Sequence, residues 1–377
     1  MKILFTGGGT GGHFFPIIAI AQSLNETIDQ EKIVGVELFY MSDSPYDEKS
    51  LFENGIAFRK ATSGKIRTYF SFKNVGDSFK VIVGIFVAVW KLFLLYPDVV
   101  VGKGGYASFP ALFAARFLKI PVIVHESDTT PGRVNLWAGK FAKIIFVSHR
   151  VATKYFPPEK VFVSGNPIRK ELAYPIRQGA RAFLKLEEQI PVIFIMGGSQ
   201  GSVKINDTII DILPELVKNY QVIHQTGEGH FTEAKARANL LLEDSMHKDR
   251  YKIFPFLNQT AIRMVGGVVD LVISRAGSSI FEIAIWGVPS IVIPIPEGIS
   301  RDQRTNAFTY AKSGSAVVVE EKNLSPTILL SEINRLMANE EEKALMSKAA
   351  REFGKDSLEA SNTIAKAILK IGLEHEF

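Results

Sequence analysis

The chain of 377 residues contains no cysteine, which excludes disulfide bonds, thiolate catalysis and cysteine-ligated metal sites. An Asp-x-Asp triplet is also absent, and no two histidines have the spacing of metal ligands on one helix. We therefore expect no protein-bound metal ion and no cofactor, so that helix dipoles would have to stabilise a leaving anion. No motif typical of nucleic-acid-binding proteins is present, and we expect no nucleic-acid partner.

Long apolar runs are absent as well. The apolar stretch 81–96 contains Lys91 and is shorter than the roughly 20 residues that a membrane-spanning helix needs. The N-terminus leads directly into a predicted strand, which argues against a signal peptide. Together with the missing cysteines, these features fit a protein of the reducing cytoplasm.

What the sequence does contain is two glycine-rich turns about half a chain apart. Gly7–Gly12 follows the predicted strand 2–6, and Gly197–Gly201 follows the predicted strand 191–196. A strand that leads through glycines into a helix aims backbone N–H groups and a positive dipole at one point, which makes an anion site. The sequence thus predicts an α/β protein with two Rossmann-like domains facing a cleft. That is the layout of a sugar-nucleotide enzyme with a donor half and an acceptor half.

Strands and helices alternate along the whole chain, which is typical of parallel, doubly wound sheets. The predicted strands are 2–6, 35–41, 98–101, 121–125 and 143–147 in the first half, and 191–196, 220–225, 251–255, 269–274 and 289–294 in the second. A boundary near Gly165-Asn166-Pro167 divides the chain into two predicted domains, 1–165 and 166–377.

Two helices carry specific expectations. The first is predicted at 14–25 with Pro16 near its start, where a missing N–H costs nothing. The last, at 340–372, is predicted to break at Gly354.

The basic excess of the chain lies in its first half, where residues 59–103, which include Lys103 and the segment 65–96, hold eight basic and two acidic groups. Two interpretations of this segment stay open: a buried helix packed on the sheet, or a helix with one face on the core and one on lipid headgroups. Aromatic and apolar residues recur at helical spacing on one face: Phe79, Ile82, Phe86, Trp90 and Phe93. Basic residues flank this face: Lys65, Arg67, Lys73, Lys80 and Lys91.

Candidate chemical groups cluster at the glycine turns. Gly7-x-Gly9-x-x-Gly12 matches the dinucleotide fingerprint formally, but the nearest acidic residue, Asp43, is too far along the chain for a dehydrogenase. His13 at the end of the loop could transfer a proton beside a phosphate or sugar, or could simply cap the helix locally. Segment 274–282 predicts a third anion site, in which Glu282 could bind a ribose diol or be an ordinary surface acid.

Several segments, taken in order, resemble the MurG family of GT-B glycosyltransferases. They are Gly7–His13 with Pro16, Gly104-Gly105-Tyr106, His125-Glu126, Gly165–Arg169, Gly197–Gly201, His224–Gly227, Arg275–Glu282 and Gln303-x-x-Asn306-Ala307. The resemblance implies an inverting transfer of N-acetylglucosamine from UDP-N-acetylglucosamine to the C4 hydroxyl of the muramoyl sugar of lipid I. The product would be lipid II for peptidoglycan synthesis. It also implies a peripheral protein on the anionic, cytoplasmic face of the cell membrane.

The resemblance implies that 1–165 is the acceptor and membrane-associated domain and 166–377 the UDP-sugar donor domain, with the last helix crossing back to the N-terminal domain. It also assigns roles at matching positions. Thr10, Gly11 and Gly12 would line the cleft near donor and acceptor. On the acceptor side, His13 would be the base or would orient the acceptor, with Glu126 as the competing base. On the donor side, the implied residues are Arg169 and Ser199 at the diphosphate, the backbone of Leu257 at uracil, Ser278, Ser279 and Glu282 at phosphate and ribose, and Gln303 at the sugar hydroxyls.

Two departures from the family pattern affect the expected donor geometry. His125-Glu126 is followed by Ser127-Asp128 where the family usually has Gln-Asn, so an acid stands in place of a sugar-contacting amide. The family usually also has one more residue between the glycine and the ribose glutamate than Gly277–Glu282 provides. Three alternatives stay open: a related GT-B transferase with another lipid acceptor, a UDP-sugar epimerase or hydrolase of similar fold, and a non-catalytic nucleotide-sugar sensor.

Overall fold

The fold is taken from a computed structural model that describes residues 1–8, 10–64, 73–198, 200–297 and 301–375. The chain forms two compact units. Unit 1 consists of Met1–Arg169 with Asp356–Phe377, and unit 2 consists of Lys170–Lys355. Each unit carries its own parallel sheet with helices. This confirms the predicted α/β fold of two parallel-sheet domains, whereas the acceptor and donor roles of the domains stay predictions.

Unit 1 is built on a seven-stranded parallel sheet in the order β3-β2-β1-β4-β5-β6-β7. The strands are β1 Lys2–Thr6, β2 Glu37–Ser42, β3 Ile56–Lys60, β4 Val99–Gly102, β5 Val122–Glu126, β6 Ile144–Val147 and β7 Val161–Val163. The helices are α1 Gly11–Glu31, α2 Glu48–Glu53, α3 Lys73–Leu95, α4 Phe109–Phe117 and α5 Arg133–Gly139, with short 3-10 turns at Tyr106–Ser108 and Arg150–Tyr155.

Unit 2 has a six-stranded parallel sheet in the order β10-β9-β8-β11-β12-β13. Its strands are β8 Val192–Met196, β9 Gln221–Gln225, β10 Tyr251–Phe254, β11 Leu271–Ser274, β12 Ser290–Val292 and β13 Ala316–Val318. Its helices are α6 Lys170–Ala173, α7 Ala180–Leu184, α8 Val203–Asn219, α9 Phe231–Leu241, α10 Gln259–Val268, α11 Ser279–Trp286, α12 Arg301–Lys312 and α13 Pro326–Ala338. The last helix, α14 Glu340–His375, begins in unit 2 and ends in unit 1. Short 3-10 turns lie at Glu228–His230, Lys248–Arg250 and Glu321–Asn323.

Both sheets reverse their strand order at one place, next to the first strand. In unit 1 this point lies between β1 and β4, and in unit 2 it lies between β8 and β11. The loops after the two strands at such a point diverge to opposite faces of the sheet, so a crevice opens at their carboxyl ends. Each glycine turn therefore stands at the switch point of its own sheet.

The strands are apolar on both faces because helices cover both sides of each sheet. Unit 1 has two core layers. In one, Phe5 of β1 packs with Phe14 and Ile17 of α1 and with the end of α14. In the other, Leu4 of β1 packs with Ala88 of α3 and Leu112 of α4. In unit 2, β8 and β11 are covered by α8 and α13, as at Ile195 and Ile209. These layers hold the strand ends, and hence the loops above them, in fixed positions.

The expected position of Pro16 is wrong. Helix α1 begins at Gly11, three residues earlier than predicted, so Pro16 lies in its second turn. Since proline has no N–H, the Gly12 carbonyl loses the bond that a residue at position 16 would otherwise donate. The first helical residues are glycines, which have low helix propensity and so concealed the true start of the helix.

The predicted break at Gly354 is also wrong, since α14 runs without interruption from Glu340 to His375. Instead, Gly354 permits a close approach to α11. A Cβ at this position would lie 3.0 Å from the backbone nitrogen of Ile285 and 3.1 Å from the Cβ of Ala284. The residues of α14 from Asp356 onward belong to unit 1.

Candidate functional site

The unit 1 site is built around His13 and two glycine loops at the switch point. A Cβ on Gly105, which has φ +80°, would lie 2.6 Å from the Gly8 carbonyl oxygen and 3.6 Å from Cε1 and Nδ1 of His13. Only glycine therefore lets the loop after β4 approach this closely, both for its conformation and for its lack of a side chain. The result is an imidazole held at the carboxyl edge of β1 and β4.

His13 is the third residue of α1, and its Nδ1 lies 3.0 Å from Oγ1 of Thr10, the N-cap residue. The residue is partly exposed. Partial desolvation of the imidazole, and then the positive charge of Lys103, lower the pKa of His13 to about 4. The ring is therefore neutral at pH 7, with one nitrogen lone pair free to accept a proton, and it is a weaker base than an ordinary imidazole. Gly11 and Gly12, at the positive end of the same helix, fit the predicted anion site.

Glu126 ends β5 and is 4% exposed. Its carboxylate accepts hydrogen bonds from the backbone nitrogens of Asp128 (2.9 Å) and Gly132 (3.0 Å) and from Nδ2 of Asn135 (2.9 Å). Burial, and then the charge of Asp128, raise the pKa of Glu126 to about 7. Three donors on one carboxylate fix the 127–132 loop and with it the predicted sugar-contacting Asp128. This geometry suits an anchor better than a base, although the catalytic role of Glu126 stays a prediction.

Arg169 lies at the end of unit 1, where its guanidinium carbon is 4.2 Å from the centroid of the Phe15 ring in α1. Its Nε is buried and has no hydrogen-bond partner among the described residues. A guanidinium that stacks on an aromatic ring and still has an N–H without a partner can bind an anion. The structure thus places Arg169 beside the helix that carries His13, and its predicted diphosphate contact stays a prediction.

The unit 2 site begins with the loop between β8 and α8. A Cβ on Gly201, with φ +80°, would lie 1.8 Å from the Thr226 carbonyl oxygen, so the loops after β8 and β9 are in backbone contact. Ser202 caps α8 by accepting from the backbone nitrogen of Ile205 at 3.4 Å. The predicted diphosphate contact Ser199 lies outside the described residues.

The third predicted anion site opens α11. Ser278 is its N-cap, and Ser279 and Glu282 lie in its first turn, all three partly exposed. Gln303 of α12 lies near them, since its Nε2 would be 3.8 Å from a Cβ on Gly277, the residue before Ser278. The Oε1 of Gln303 accepts a hydrogen bond from the backbone nitrogen of Ile295. The structure therefore brings the predicted ribose, phosphate and sugar contacts together at one strand end.

Arg275 has a structural role within this predicted anion segment. It is buried, and its guanidinium donates to the Ile293 carbonyl (3.1 Å) and to Oγ of Ser202 (2.6 Å), and it pairs with Glu321. These bonds tie the ends of β11 and β12 to the start of α8. The guanidinium thus fixes the strand ends that carry the candidate donor loops.

Leu257 is buried after β10, and its backbone N–H donates to Oε1 of Gln225 at 3.0 Å. The N–H is thereby occupied, which leaves the carbonyl as the atom that could pair with the uracil N3–H. The predicted contact between uracil and the Leu257 backbone stays a prediction. Gln225, which sequence analysis named only as part of the segment His224–Gly227 and gave no role, holds this backbone in place.

Two family models match the chain: the glycosyltransferase family 28 N-terminal domain over residues 3–147 and the glycosyltransferase family 28 C-terminal domain over residues 192–364. The chain is 37% identical over 343 residues to a UDP-N-acetylglucosamine--N-acetylmuramyl-(pentapeptide) pyrophosphoryl-undecaprenol N-acetylglucosamine transferase of Bacillus cereus, covering 90% of this chain and 92% of that protein. A transferase of the same name from Treponema denticola is 36% identical, covering 87% of this chain and 86% of its own. The chain belongs to the MurG family of family 28 glycosyltransferases.

Solved structures agree on the fold. The crystal structure of Acinetobacter baumannii MurG matches with a TM-score of 0.69 at 24% identity, covering 98% of this chain and 99% of that one. A structure described as a putative UDP-N-acetylglucosamine 2-epimerase from Listeria monocytogenes matches with a TM-score of 0.70 at 15% identity, covering 99% and 96%. The shared architecture confirms the predicted GT-B fold, but at these identities it does not distinguish transfer from epimerisation.

Sequence analysis missed Lys103, the most unusual group of the unit 1 site. It follows β4 directly, is 2% exposed, and its ammonium donates to the hydroxyl of Ser127. A lysine between an apolar strand and two glycines is a signal that could have been used, because a strand end at the switch point is where functional groups collect. In the sequence it stood out only as part of the basic excess of the first half.

Within the described ranges no group of three or more histidine, aspartate or glutamate side chains could hold a metal ion. The prediction of a metal-independent reaction therefore has to be tested by experiment.

Proposed function

We propose that the two units of this MurG-family chain divide the reaction, so that unit 1 binds the acceptor and unit 2 binds the donor. The reaction is the transfer of N-acetylglucosamine from UDP-N-acetylglucosamine to the muramoyl C4 hydroxyl of lipid I, which gives lipid II. Identity of 36–37% along nine-tenths of the chain to transferases carries this assignment. The epimerase alternative is supported only by structures near 15% identity, which share the fold.

On the acceptor side, His13 takes the proton of the attacking hydroxyl. A sugar hydroxyl is a poor nucleophile, and a positioned base typically contributes about 10²–10⁴-fold. The ring is neutral at pH 7, and its Nδ1 faces the Thr10 hydroxyl at 3.0 Å. With Nδ1–H donating to Thr10, Nε2 becomes the proton acceptor. The start of α1 offers backbone N–H groups to the acceptor diphosphate.

On the donor side, the helix starts of unit 2 bind UDP. Ser278 and Ser279 at the start of α11 hold phosphate, Glu282 accepts hydrogen bonds from the ribose diol, and Gln303 contacts the sugar hydroxyls. The dipoles of α8 and α11 stabilise the negative charge that develops on the leaving diphosphate. As the C4 oxygen bonds to the anomeric carbon from the opposite side, the bond to UDP breaks with inversion.

We also propose that α3 places unit 1 on the membrane. Phe86, Trp90 and Phe93 are 72%, 62% and 60% exposed, whereas Ala88 and Leu92 on the opposite face are buried. An exposed aromatic face beside basic residues is typical of a helix lying in an anionic interface. The cytoplasmic leaflet, where the UDP-sugar is available, is the proposed surface.

The basic residues predicted to flank this face are described only in part. Lys80 is exposed and Lys91 is partly exposed. Lys65 and Arg67 lie outside the described residues, as do the side chains of Lys73 and Phe79. The contribution of the basic residues to membrane binding therefore stays a prediction.

In the part of the chain that the structure describes, no helix has both the length and the apolar character required to span a bilayer. Attachment through the α3 face is the proposed mode of membrane association.

The decisive experiment is to incubate the protein with UDP-N-acetylglucosamine and lipid I and to identify the products by mass. We expect lipid I to gain one N-acetylhexosamine and UDP to be released in equal amount, also in excess chelator. Conversion of the UDP-sugar to its epimer without change in lipid I would instead establish the epimerase alternative. Activity lost in chelator and restored by magnesium would contradict the metal-independent mechanism.

A further inference from the structure

A chain of polar side chains crosses the interior of unit 2 from β10 to the start of α8. Asn206 of α8 and His224 of β9 are both buried. Oδ1 of Asn206 lies 3.0 Å from Nε2 of His224, and Nδ2 of Asn206 donates to the Thr226 carbonyl at 3.1 Å. At the other end, the hydroxyl of Tyr251 in the adjacent strand β10 lies 2.9 Å from Nδ1 of the imidazole.

The direction of every hydrogen bond in this chain is fixed. An amide oxygen can only accept, so the Oδ1 of Asn206 accepts from Nε2–H of His224. Burial lowers the pKa of His224 to about 3, so the ring is neutral at pH 7 and its Nδ1 accepts from the Tyr251 hydroxyl. The donors therefore run in one direction, from the Tyr251 hydroxyl to the Thr226 carbonyl.

The Thr226 carbonyl, where this chain ends, is in contact with the glycine loop after β8. A Cβ on Gly201 would lie 1.8 Å from its oxygen, and a Cβ on Gly227 would lie 2.3 Å from the Gln200 carbonyl oxygen. Both glycines have positive φ angles, +80° and +87°, that other residues rarely adopt. With so little space between the two loops, a turn of the Thr226 carbonyl would displace the glycine loop.

The next residue of β9 serves a different loop. Gln225 is buried, and its Oε1 accepts from the backbone nitrogen of Leu257 at 3.0 Å. Successive side chains of a strand point to opposite faces, so His224 and Gln225 can bond to separate partners. One strand end thus fixes both the glycine loop and the backbone proposed to pair with uracil.

A leucine could fill the place of Asn206 on the buried face of α8 without the cost of burying an amide, so packing alone does not account for asparagine. We propose that Asn206 and His224 are positioning residues for the diphosphate part of the donor site. They act through the Thr226 carbonyl on the glycine loop after β8, whereas Gln225 separately positions the Leu257 backbone. This inference rests on the proposed donor site of unit 2.

The test separates these two effects by the choice of ligand. Asn206→Ala should weaken UDP binding about tenfold, because the Thr226 carbonyl loses the bond that orients it, while uridine, which has no phosphate, should bind as it does to wild type. Gln225→Met should weaken UDP and uridine by the same factor, since its loss falls on the uracil contact. Calorimetry measures UDP binding, and ligand-observed NMR titration measures uridine binding.

Tyr251→Phe keeps the shape of the side chain and reaches the glycine loop only through His224. It should weaken UDP binding about twofold to fivefold and leave uridine binding unchanged, and it is the variant to rely on if Asn206→Ala folds poorly. Thr208→Val is the matched control, because Thr208 is buried in the same helix and its hydroxyl donates only within α8, to the Lys204 carbonyl at 2.7 Å. The control should lower Tm without changing UDP affinity.

Unchanged UDP affinity in folded Asn206→Ala would overturn the inference, and unchanged affinity in Tyr251→Phe would remove His224 from it. An equal loss of UDP and uridine affinity in either variant would also overturn it, since the effect would then not be confined to the diphosphate loop. Wild type that binds no UDP would overturn the donor site and this inference together. Failure of the proposed transfer alone is seen separately, as wild type that binds UDP but makes no lipid II.

Discussion

The hydroxyl of Thr10 lies 3.0 Å from Nδ1 of His13, one helical turn further along the chain. Thr10 is the N-cap of α1 but makes no side-chain bond to a helix N–H, so its hydroxyl is committed to the imidazole. Such a bond fixes the direction of the ring, and where the hydroxyl accepts from Nδ1–H it leaves Nε2 as the proton acceptor. The proposed base is therefore oriented from within its own helix start.

Thr10→Val should lower kcat about fivefold to tenfold, because one hydrogen bond to the ring, worth about 1–1.5 kcal/mol, is lost while the shape is kept. Thr10→Ser retains the hydroxyl and should keep most of the activity. Steady-state kinetics at saturating donor and acceptor decide the matter. Equal kcat for the valine and serine variants would mean that the Thr10 hydroxyl does not orient the base.

His13→Ala should lower kcat by about 10²–10⁴-fold while UDP affinity stays close to that of wild type. His247→Ala, outside both sites, serves as the control. In wild type, protonation of the ring removes the base, so the rate should fall as pH falls through about 4, the lowered pKa of His13. An acid limb near 6.5, the ordinary histidine value, would mean that the pKa of His13 is not lowered in the enzyme, and a limb that persists in His13→Ala would belong to another group.

Glu126→Gln separates the two roles of that carboxylate. If Glu126 is a loop anchor, the variant leaves one backbone or side-chain N–H facing an amide nitrogen, at a cost of about 1–3 kcal/mol, so Tm should fall while kcat changes little. If Glu126 is the base, the variant should lose about 10²–10⁴-fold in kcat with nearly normal Tm. We expect the first pattern, from the three donors on the carboxylate. Thermal melts and kcat on the same preparation distinguish the two.

Glu282→Ala should weaken UDP binding about tenfold to a hundredfold, since charge-assisted hydrogen bonds to the ribose, worth roughly 1.5–3 kcal/mol, are lost. Calorimetry with UDP measures the change, and Glu233→Ala, an exposed acid of unit 2, is the matched control. The fold should survive because Glu282 is partly exposed. Unchanged affinity would remove Glu282 from the donor site.

The elements that sequence analysis predicted well have strong patterns. All ten predicted strands are present, and most of them are runs of apolar residues covered on both faces by helices. The three missed strands, β3, β7 and β13, all lie at sheet edges. Two of these are only three residues long, and β3 is partly exposed, so neither length nor apolar periodicity identified them.

In the candidate site, too, features with a strong local pattern were predicted and the others were missed. Glycine loops and the helix starts were visible in the sequence because glycine marks a local backbone requirement. The bonds of Lys103 to Ser127, of Ser127 to Asn166 and of Leu257 to Gln225 join residues 24, 39 and 32 positions apart. Such contacts follow from strand order, which local pattern does not determine.

The last prediction concerns the exposed face of α3. Replacing Phe86, Trp90 and Phe93 by serine should weaken binding to anionic vesicles by at least about a hundredfold, because each aromatic side chain that leaves water contributes roughly 1.5–3 kcal/mol. The control replaces Leu240, Leu241 and Met246, which are exposed on unit 2, by serine.

A second variant tests the basic residues and replaces Lys65, Arg67, Lys73 and Lys80 by serine. Its binding to anionic vesicles should weaken by about 1 kcal/mol for each basic residue that lies near the surface. Vesicle sedimentation measures binding, and turnover of a short water-soluble acceptor should be nearly unchanged because α3 is not part of the proposed chemistry. Equal sedimentation of wild type and both variants would show that the exposed aromatic face of α3 does not dock on lipid.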